Sequence, residues 1–184
     1  MHVEQGKLGG VLILHPHVFE DERGVFVETY QEARLRAVGV DCHFVQDNHS
    51  RSIQRTLRGL HFQASPGQAK LVYVAAGRIF DVVVDIRPQS PTFGQWEGMY
   101  LDAERRRVLF IPVGFAHGFC VTSEVADVYY KVSAPYDAST EGGIAYDDPS
   151  LGIQWPVTQP ILSARDQRAP SFAELAARLG RSLG

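Results

Sequence analysis

No run of apolar residues in this sequence approaches the ~20 needed to cross a bilayer, which excludes a protein built on membrane-spanning helices. Cysteine is nearly missing. Cys42 and Cys120 are the two present, they lie far apart and form no CxxC, so free thiols in a reducing cytoplasm are expected rather than a disulfide framework. There is no basic excess either: 18 Lys and Arg stand against 21 Asp and Glu, and the net charge of −3 argues against a general nucleic-acid binder. The one basic run, Arg105-Arg106-Arg107, reads as a solvated turn. Met1-His2-Val3-Glu4-Gln5 shows no positive cluster followed by an apolar stretch, so no signal peptide is expected. Repeats, low-complexity tracts and linkers are absent as well.

What is present suits one domain over residues 1–184, with 45% hydrophobic residues to build a core and 21% charged residues for its surface. Short segments rich in β-branched and aromatic residues follow one another, punctuated by Gly, Pro and Asp. They are Val11-Leu12-Ile13-Leu14, residues 25–30, Leu71-Val72-Tyr73-Val74, residues 79–85, Val108-Leu109-Phe110-Ile111 and residues 127–132. Many short strands at near-regular spacing predict an all-β sandwich or barrel. Two short helices are expected beside it. One covers residues 31–38 and stops at Gly39. The other starts at Ser171, whose spacing to Glu174 is that of a capping box, and places Leu175 and Leu179 on one face against the outside of a sheet.

The centre of the chain carries the chemistry. In Leu57-Arg58-Gly59-Leu60-His61-Phe62-Gln63, His61 and Gln63 stand two apart and share a strand face. Lys70 follows, and Ala76-Gly77 reads as a tight turn between antiparallel strands. A symmetric turn sets Lys70 opposite Val83 with Asp81 on the same face, and a slip of one residue reverses that facing. Further on, Pro112-Val113-Gly114-Phe115-Ala116-His117 puts another histidine near the start of a strand.

These two segments resemble the paired motifs of the cupins, double-stranded β-helix jelly rolls that hold a divalent metal on a His-x-His, a Glu and a later His. Here the corresponding set is His61, Gln63, Lys70 and His117. An amide is a poor substitute for imidazole, and a lysine ammonium has no lone pair and repels a cation. The resemblance therefore implies a pocket without metal. It narrows to the dTDP-4-dehydrorhamnose 3,5-epimerase family through motifs in matching order along nearly the whole chain. They include Asp21-Glu22-Arg23-Gly24, Gln46-Asp47-Asn48-His49-Ser50, the Leu57–Gln63 run, Ser90-Pro91-Thr92-Phe93-Gly94 and the segment from Pro112 to Phe119. Tyr129-Tyr130-Lys131, Asp147-Asp148-Pro149, Ile153-Gln154-Trp155-Pro156 and Leu162-Ser163-Ala164-Arg165-Asp166 complete them. Two departures stand out: Arg55-Thr56 where the family usually has Gly-Val, and Arg165 where a lysine is common. Arginine and lysine are not interchangeable at a shaped phosphate or sugar site.

The resemblance implies epimerisation of a dTDP-4-keto sugar at carbons 3 and 5, with no redox cofactor and no metal. The ketone acidifies both positions, so the reaction needs a base, a partner for the enolate oxygen and a proton donor on the opposite face. Within that pattern His61 is the base, oriented by Asp166. Lys70 holds the enolate oxygen with Asp81 behind it, and Tyr130 is the donor. Tyr129 alternates to the other face. Substrate contacts carry over to Arg58, Glu28, Gln46, Asn48, His117, Glu141, Arg165 and, from a partner subunit, Arg23, while Phe26 and Tyr136 match aromatics flanking the thymine. The implied assembly is a homodimer with residues shared across the interface. A mono-epimerase acting at one carbon shares the same base, lysine and tyrosine. A metal-dependent cupin oxygenase is disfavoured by Gln63 and Lys70, and a non-catalytic sugar-binding cupin would be expected to lack His61, Tyr130 or Asp166.

Overall fold

The computed structural model describes residues 1–180; the last four residues of the expected 1–184 unit lie outside the described residues. The strands form two facing antiparallel sheets and a ribbon. The six-stranded sheet contains β1 (His2–Gln5), β2 (Leu12–His15), β5 (Gln46–Ile53), β7 (Lys70–Ala76), β10 (Val108–Ile111) and β12 (Val125–Val132), in the order β1-β2-β10-β7-β12-β5. The five-stranded sheet contains β6 (Leu57–Gln63), β8 (Arg78–Asp85), β9 (Trp96–Asp102), β11 (Phe115–Val121) and β13 (Glu141–Gly143), in the order β13-β6-β11-β8-β9. β3 (Val18–Asp21) and β4 (Gly24–Val27) pair only with each other. This is the all-β sandwich that the strand chemistry predicts, in the jelly-roll form that the resemblance implies.

Alternation along each strand sorts side chains into three apolar layers. Val72, Val74 and Val128 from one sheet meet Ile79, Val83, Phe115, Phe119 and Val121 from the other, and Tyr130 packs against the same cluster. The outer face of the five-stranded sheet buries Phe80, Val82 and Val84 beneath Phe172 and Leu175 of α2 (Phe172–Arg178). The outer face of the six-stranded sheet buries Leu71 and Phe110 beneath Leu35 of α1 (Glu32–Ala37). Both helices thus lie outside the sandwich. The expected capping box forms between Ser171 and Glu174, and α1 is capped by Gln31, whose side chain accepts from the Arg34 backbone N–H. Asp148 adds to the second cap by accepting from the Phe172 N–H at 2.7 Å, a role for the Asp147-Asp148-Pro149 motif.

Three expectations change. The strand expected over residues 25–30 ends at Val27, and Tyr30 turns instead onto the outer layer under α1. β5, like β1, β3, β9 and β13, lies outside the expected strands. Its alternating polar residues lack the apolar signal, because it is an edge strand paired on one side only, to β12. The third change is the turn at Gly77. It does not join a hairpin: β7 pairs with β10 and β12, β8 pairs with β11 and β9, and the turn carries the chain from one sheet to the other. Lys70 therefore stands opposite Ile111 and Val132, not Val83. Gly77 has a φ of 76°, and a Cβ there would lie 2.0 Å from the Val125 carbonyl oxygen, so the crossing requires glycine.

The Arg55 departure also has a local explanation. Arg55 holds a φ of 69°, a conformation that glycine adopts without penalty, and its Nε donates to the Gln159 carbonyl at 3.0 Å. Among the described residues no helix is long and apolar enough to cross a membrane.

Candidate active site

A cluster of polar side chains interrupts the apolar interior between the sheets. From the six-stranded sheet come Lys70 on β7 and Tyr130 on β12, inward-facing like their neighbours Val72 and Val128. From the five-stranded sheet come His61 on β6, Asp81 on β8 and His117 on β11, with His117 opposite both His61 and Val83. Asp166 enters from a short 3-10 turn, Asp166–Arg168, whose first N–H donates to the Ser163 hydroxyl. A cavity of about 600 Å³ gathers Arg58, His61, Lys70, His117, Tyr130, Tyr136, Glu141, Arg165 and Asp166. A second chamber of about 290 Å³ shares His61, Lys70, Tyr130, Tyr136 and Glu141 with it and adds Gln46, Asn48, Gln63 and Gln68.

His61 Nε2 lies 2.7 Å from Asp166 Oδ1. Burial alone would raise the Asp166 carboxyl, but the bonds from His61 and Ser163 and the charges of His61 and Arg165 hold it below the usual range. The carboxylate therefore accepts from Nε2–H, which leaves the lone pair on Nδ1, 3.4 Å from Arg165 Nη2, as the ring's acceptor for a proton. Arg165 Nη2 also stands 2.9 Å from Nε2, yet that nitrogen has one hydrogen to give and the carboxylate takes it; the same guanidinium reaches Glu141 through Nη1. His117 is 5% exposed and bonds both Asp81 oxygens, at 3.0 and 2.9 Å. Burial lowers its pKa against the opposing pull of Asp81, with Lys70 and His61 adding to the lowering, so it is a neutral ring that donates to Asp81.

Lys70 is 8% exposed, which overturns any reading of it as a surface lysine. Burial brings its pKa down to about 8, while the charges of Asp81 and Glu141 pull the other way. Asp81 reaches it across the sandwich rather than along a hairpin. Its Nζ lies 3.4 Å from the His61 carbonyl oxygen, a long contact that leaves the ammonium free to meet another oxygen. The Tyr130 phenol is raised by burial and by Glu141, against Arg58 and Arg165, and so keeps its proton. Tyr129 points the other way and stacks between Tyr73 and His49 on the outer face.

The structure does not bring every expected residue here. Arg23 and Phe26 sit on the β3–β4 ribbon and line a separate hollow with Phe19 and Val25, and Arg23 pairs with Asp21. Glu28 pairs with Arg34 at 3.0 Å. Gln46 and Asn48 lie in the second chamber, where Gln46 Nε2 donates to Asn48 Oδ1 at 2.8 Å. Tyr136 reaches Glu141 through its hydroxyl at 3.0 Å. Arg58 donates to the Ser52 hydroxyl at 3.1 Å.

Sequence reasoning missed the apolar and hydroxyl lining from Thr56, Leu57, Phe119, Ile161, Leu162 and Ser163. It also missed Ser50, which lines the cavity with a buried hydroxyl unpartnered among the described residues. Ser50 stands within a motif already singled out, and the sign that could have found it is its alternation with Asn48 on one strand face. The others carry no chemical signal in one sequence.

Comparison with known proteins agrees with this geometry. The profile described as dTDP-4-dehydrorhamnose 3,5-epimerase matches residues 5–174. The Salmonella typhimurium dTDP-4-dehydrorhamnose 3,5-epimerase is 54% identical over 87% of this chain and 89% of its own. The Shigella flexneri protein of the same name is 49% identical over 95% and 97%. The Legionella pneumophila dTDP-6-deoxy-D-glucose-3,5-epimerase, solved in complex with dTDP-4-keto-L-rhamnose, superposes with a TM-score of 0.94 at 44% identity, covering 100% of this chain and 98% of that one. With the match running over nearly all its length, this chain belongs to the dTDP-4-dehydrorhamnose 3,5-epimerase family.

Proposed function

We propose that this chain epimerises dTDP-4-keto-6-deoxy-D-glucose at carbons 3 and 5 to give dTDP-4-keto-L-rhamnose, in the making of activated rhamnose. The observation that carries the reading is that His61 and Tyr130 stand on opposite sheets and line one cavity with Lys70. The keto sugar between them loses a proton to one wall, and the flat enolate that forms takes a proton from the other, which inverts the carbon. His61 Nδ1 takes the proton, and Asp166 stabilises the imidazolium that forms. The Lys70 ammonium meets the developing enolate oxygen in a site shielded from water. The protonated Tyr130 phenol returns a proton on the far face. Arg58 and Arg165 supply positive charge for the diphosphate, and His117 offers its ring from the buried wall. The side chains in the vacated metal positions are an amide and an ammonium, so activity is expected to survive exhaustive chelation.

A homodimer completes the site in this reading. The β3–β4 ribbon exposes Phe19 at 54%, Val25 at 47% and Phe26 at 68%, an apolar surface suited to burial against a second copy, with the partner subunit's Arg23 reaching the diphosphate. Mixing inactive Arg23→Ala with inactive His61→Ala protein is expected to restore part of the activity through hybrid sites, and no recovery despite proven subunit exchange would remove the sharing. Residues 1–184 act as one cupin-type domain, and free Cys42 and Cys120 fit a reducing cytoplasm. The deciding experiment is proton NMR of the keto sugar with enzyme in deuterium oxide. Deuterium entering carbons 3 and 5 with inversion at both is the expected result. Inversion at one carbon would make the protein a mono-epimerase, and no exchange at either would refute the proposal.

A further inference from the structure

Gln63 occupies the position where a cupin would carry a second metal-binding histidine, and the proton path proposed above does not use it. Its side chain is nevertheless engaged through both its nitrogen and its oxygen. Gln63 Nε2 donates to the Asp137 carbonyl at 2.9 Å, and the Asp137 N–H donates back to Gln63 Oε1 at 2.9 Å. The amide thus reads both polar groups of one peptide residue, as a strand neighbour would. Its backbone meanwhile pairs with Glu141 at the start of β13. One residue therefore holds both ends of the turn over residues 137–141. Within that turn the Asp137 carboxylate accepts from the Ser139 N–H at 2.8 Å and hydroxyl at 2.7 Å, which fixes the corner.

Two more glutamines hold the segment leading into this turn. Gln68 Nε2 donates to the Ala134 carbonyl at 2.8 Å, and Gln46 Oε1 accepts from the Tyr136 N–H at 3.1 Å. The backbone of residues 134–137 is thereby gripped by side chains from three separate parts of the chain. Tyr136 and Glu141, which flank the turn, are joined by their own hydrogen bond and line both chambers of the cavity. Glu141 passes the constraint on to Arg165, which stands beside the His61 ring.

We infer that Gln63, assisted by Gln68, is a positioning residue of the epimerase site: its amide fixes the 134–141 segment so that Tyr136 and Glu141 meet the bound nucleotide sugar already in place. Glutamine suits the task because it is neutral and carries a donor and an acceptor on one planar group, matching the N–H and C=O of Asp137. Glutamate keeps the acceptor and loses the donor. Asparagine falls short by about 1.5 Å, one C–C bond. Leucine fills the space but leaves two peptide groups of a part-buried segment unmet.

The inference rests on the epimerase reading, so its test uses dTDP binding beside turnover. KM and kcat for the keto sugar, the affinity for dTDP by calorimetry, thermal melting and amide hydrogen exchange over residues 134–141 are compared for wild type, Gln63→Leu, Gln63→Glu and Gln68→Leu. Gln63→Leu is expected to raise KM and the dTDP Kd about tenfold, the effect of losing two part-buried hydrogen bonds, with kcat falling much less. Exchange at Tyr136 and Asp137 should quicken. Gln63→Glu and Gln68→Leu, each losing a single donor, should shift KM and Kd in the same direction by less. If Gln63→Leu does not fold, the isosteric Gln63→Glu decides. Wild-type KM, Kd and exchange in the folded variants would overturn the inference, as would a lower melting temperature with unchanged KM and Kd, which is the mark of a purely structural residue. A wild-type protein that binds dTDP but exchanges no sugar proton would refute the epimerase reading alone, leaving Kd and amide exchange to judge Gln63.

Discussion

The same three residue types meet on both faces of β12. On the inner side are His61, Asp166 and Tyr130; on the outer side are His49, Asp127 and Tyr129. The histidine–carboxylate contacts are nearly equal, 2.7 Å for His61 and 2.8 Å for His49. Their surroundings differ. The outer ring lies flat on Tyr129 with centroids 4.3 Å apart, its carboxylate is shared with Arg51, and its side chain is 42% exposed. The inner ring stands in a cavity with a buried lysine and a protonated phenol across from it. A His–Asp pair is therefore not a site in itself. Enclosure, and what faces the free nitrogen, turn it into one.

Substitution of the two histidines gives the largest expected contrast. His61→Ala should abolish both deuterium exchange and inversion, a loss of at least ~10²–10⁴-fold for one general base. His49→Ala should leave turnover near wild type. Comparable losses in steady-state assays of the two would break the distinction.

The tyrosines sharpen it further. Tyr130→Phe keeps the proposed base and removes the proposed far-face donor, so deuterium should still enter at an acidic carbon while inversion falls by ~10²-fold or more. Tyr129→Phe removes a hydroxyl from an outer stack and should change neither. NMR of both variants in deuterium oxide reads the two effects at once. Near-normal inversion by Tyr130→Phe would return Tyr130 to the role of a packed core residue.

The smallest of the three effects is in stability, and it sets Lys70 apart from any residue on the outer face. Its amine titrates at about 8, against 10.5 for an ordinary lysine. Activity that needs the cation should fall as pH rises through about 8. Below that pH the folded chain carries the full penalty of a buried charge. Between the two values the unfolded chain binds the extra proton, so stability rises with pH across that window. Lys70→Met should therefore be inactive yet more stable at pH 7, by as much as roughly 3 kcal/mol, with the advantage shrinking above pH 8. Denaturant titrations at pH 7 and pH 9.5 measure it. A Lys70→Met protein less stable than wild type at pH 7 would show that Asp81 depends on the lysine more than burial opposes it.

Much of this was open to a reader of residues alone. Val108-Leu109-Phe110-Ile111 announces β10 by composition, and Ser171 with Glu174 announces α2 by spacing. The order of motifs from Asp21 to Asp166 carries the family and, with it, the His61–Asp166 pairing that the structure forms. These features are local, or are repeated in chain order, so a linear reading reaches them. What only the tertiary structure decided concerns which strands become neighbours. Ala76-Gly77 has the look of a hairpin turn, yet it crosses between sheets, because the pairing of β7 with β10 and β12 outweighs the local turn. The burial of Lys70, its approach to Asp81 from the opposite sheet and the grip of Gln63 on Asp137 all follow from that arrangement. Residues so far apart in sequence meet only when two whole sheets close on a shared core, and no period within either strand records that closure.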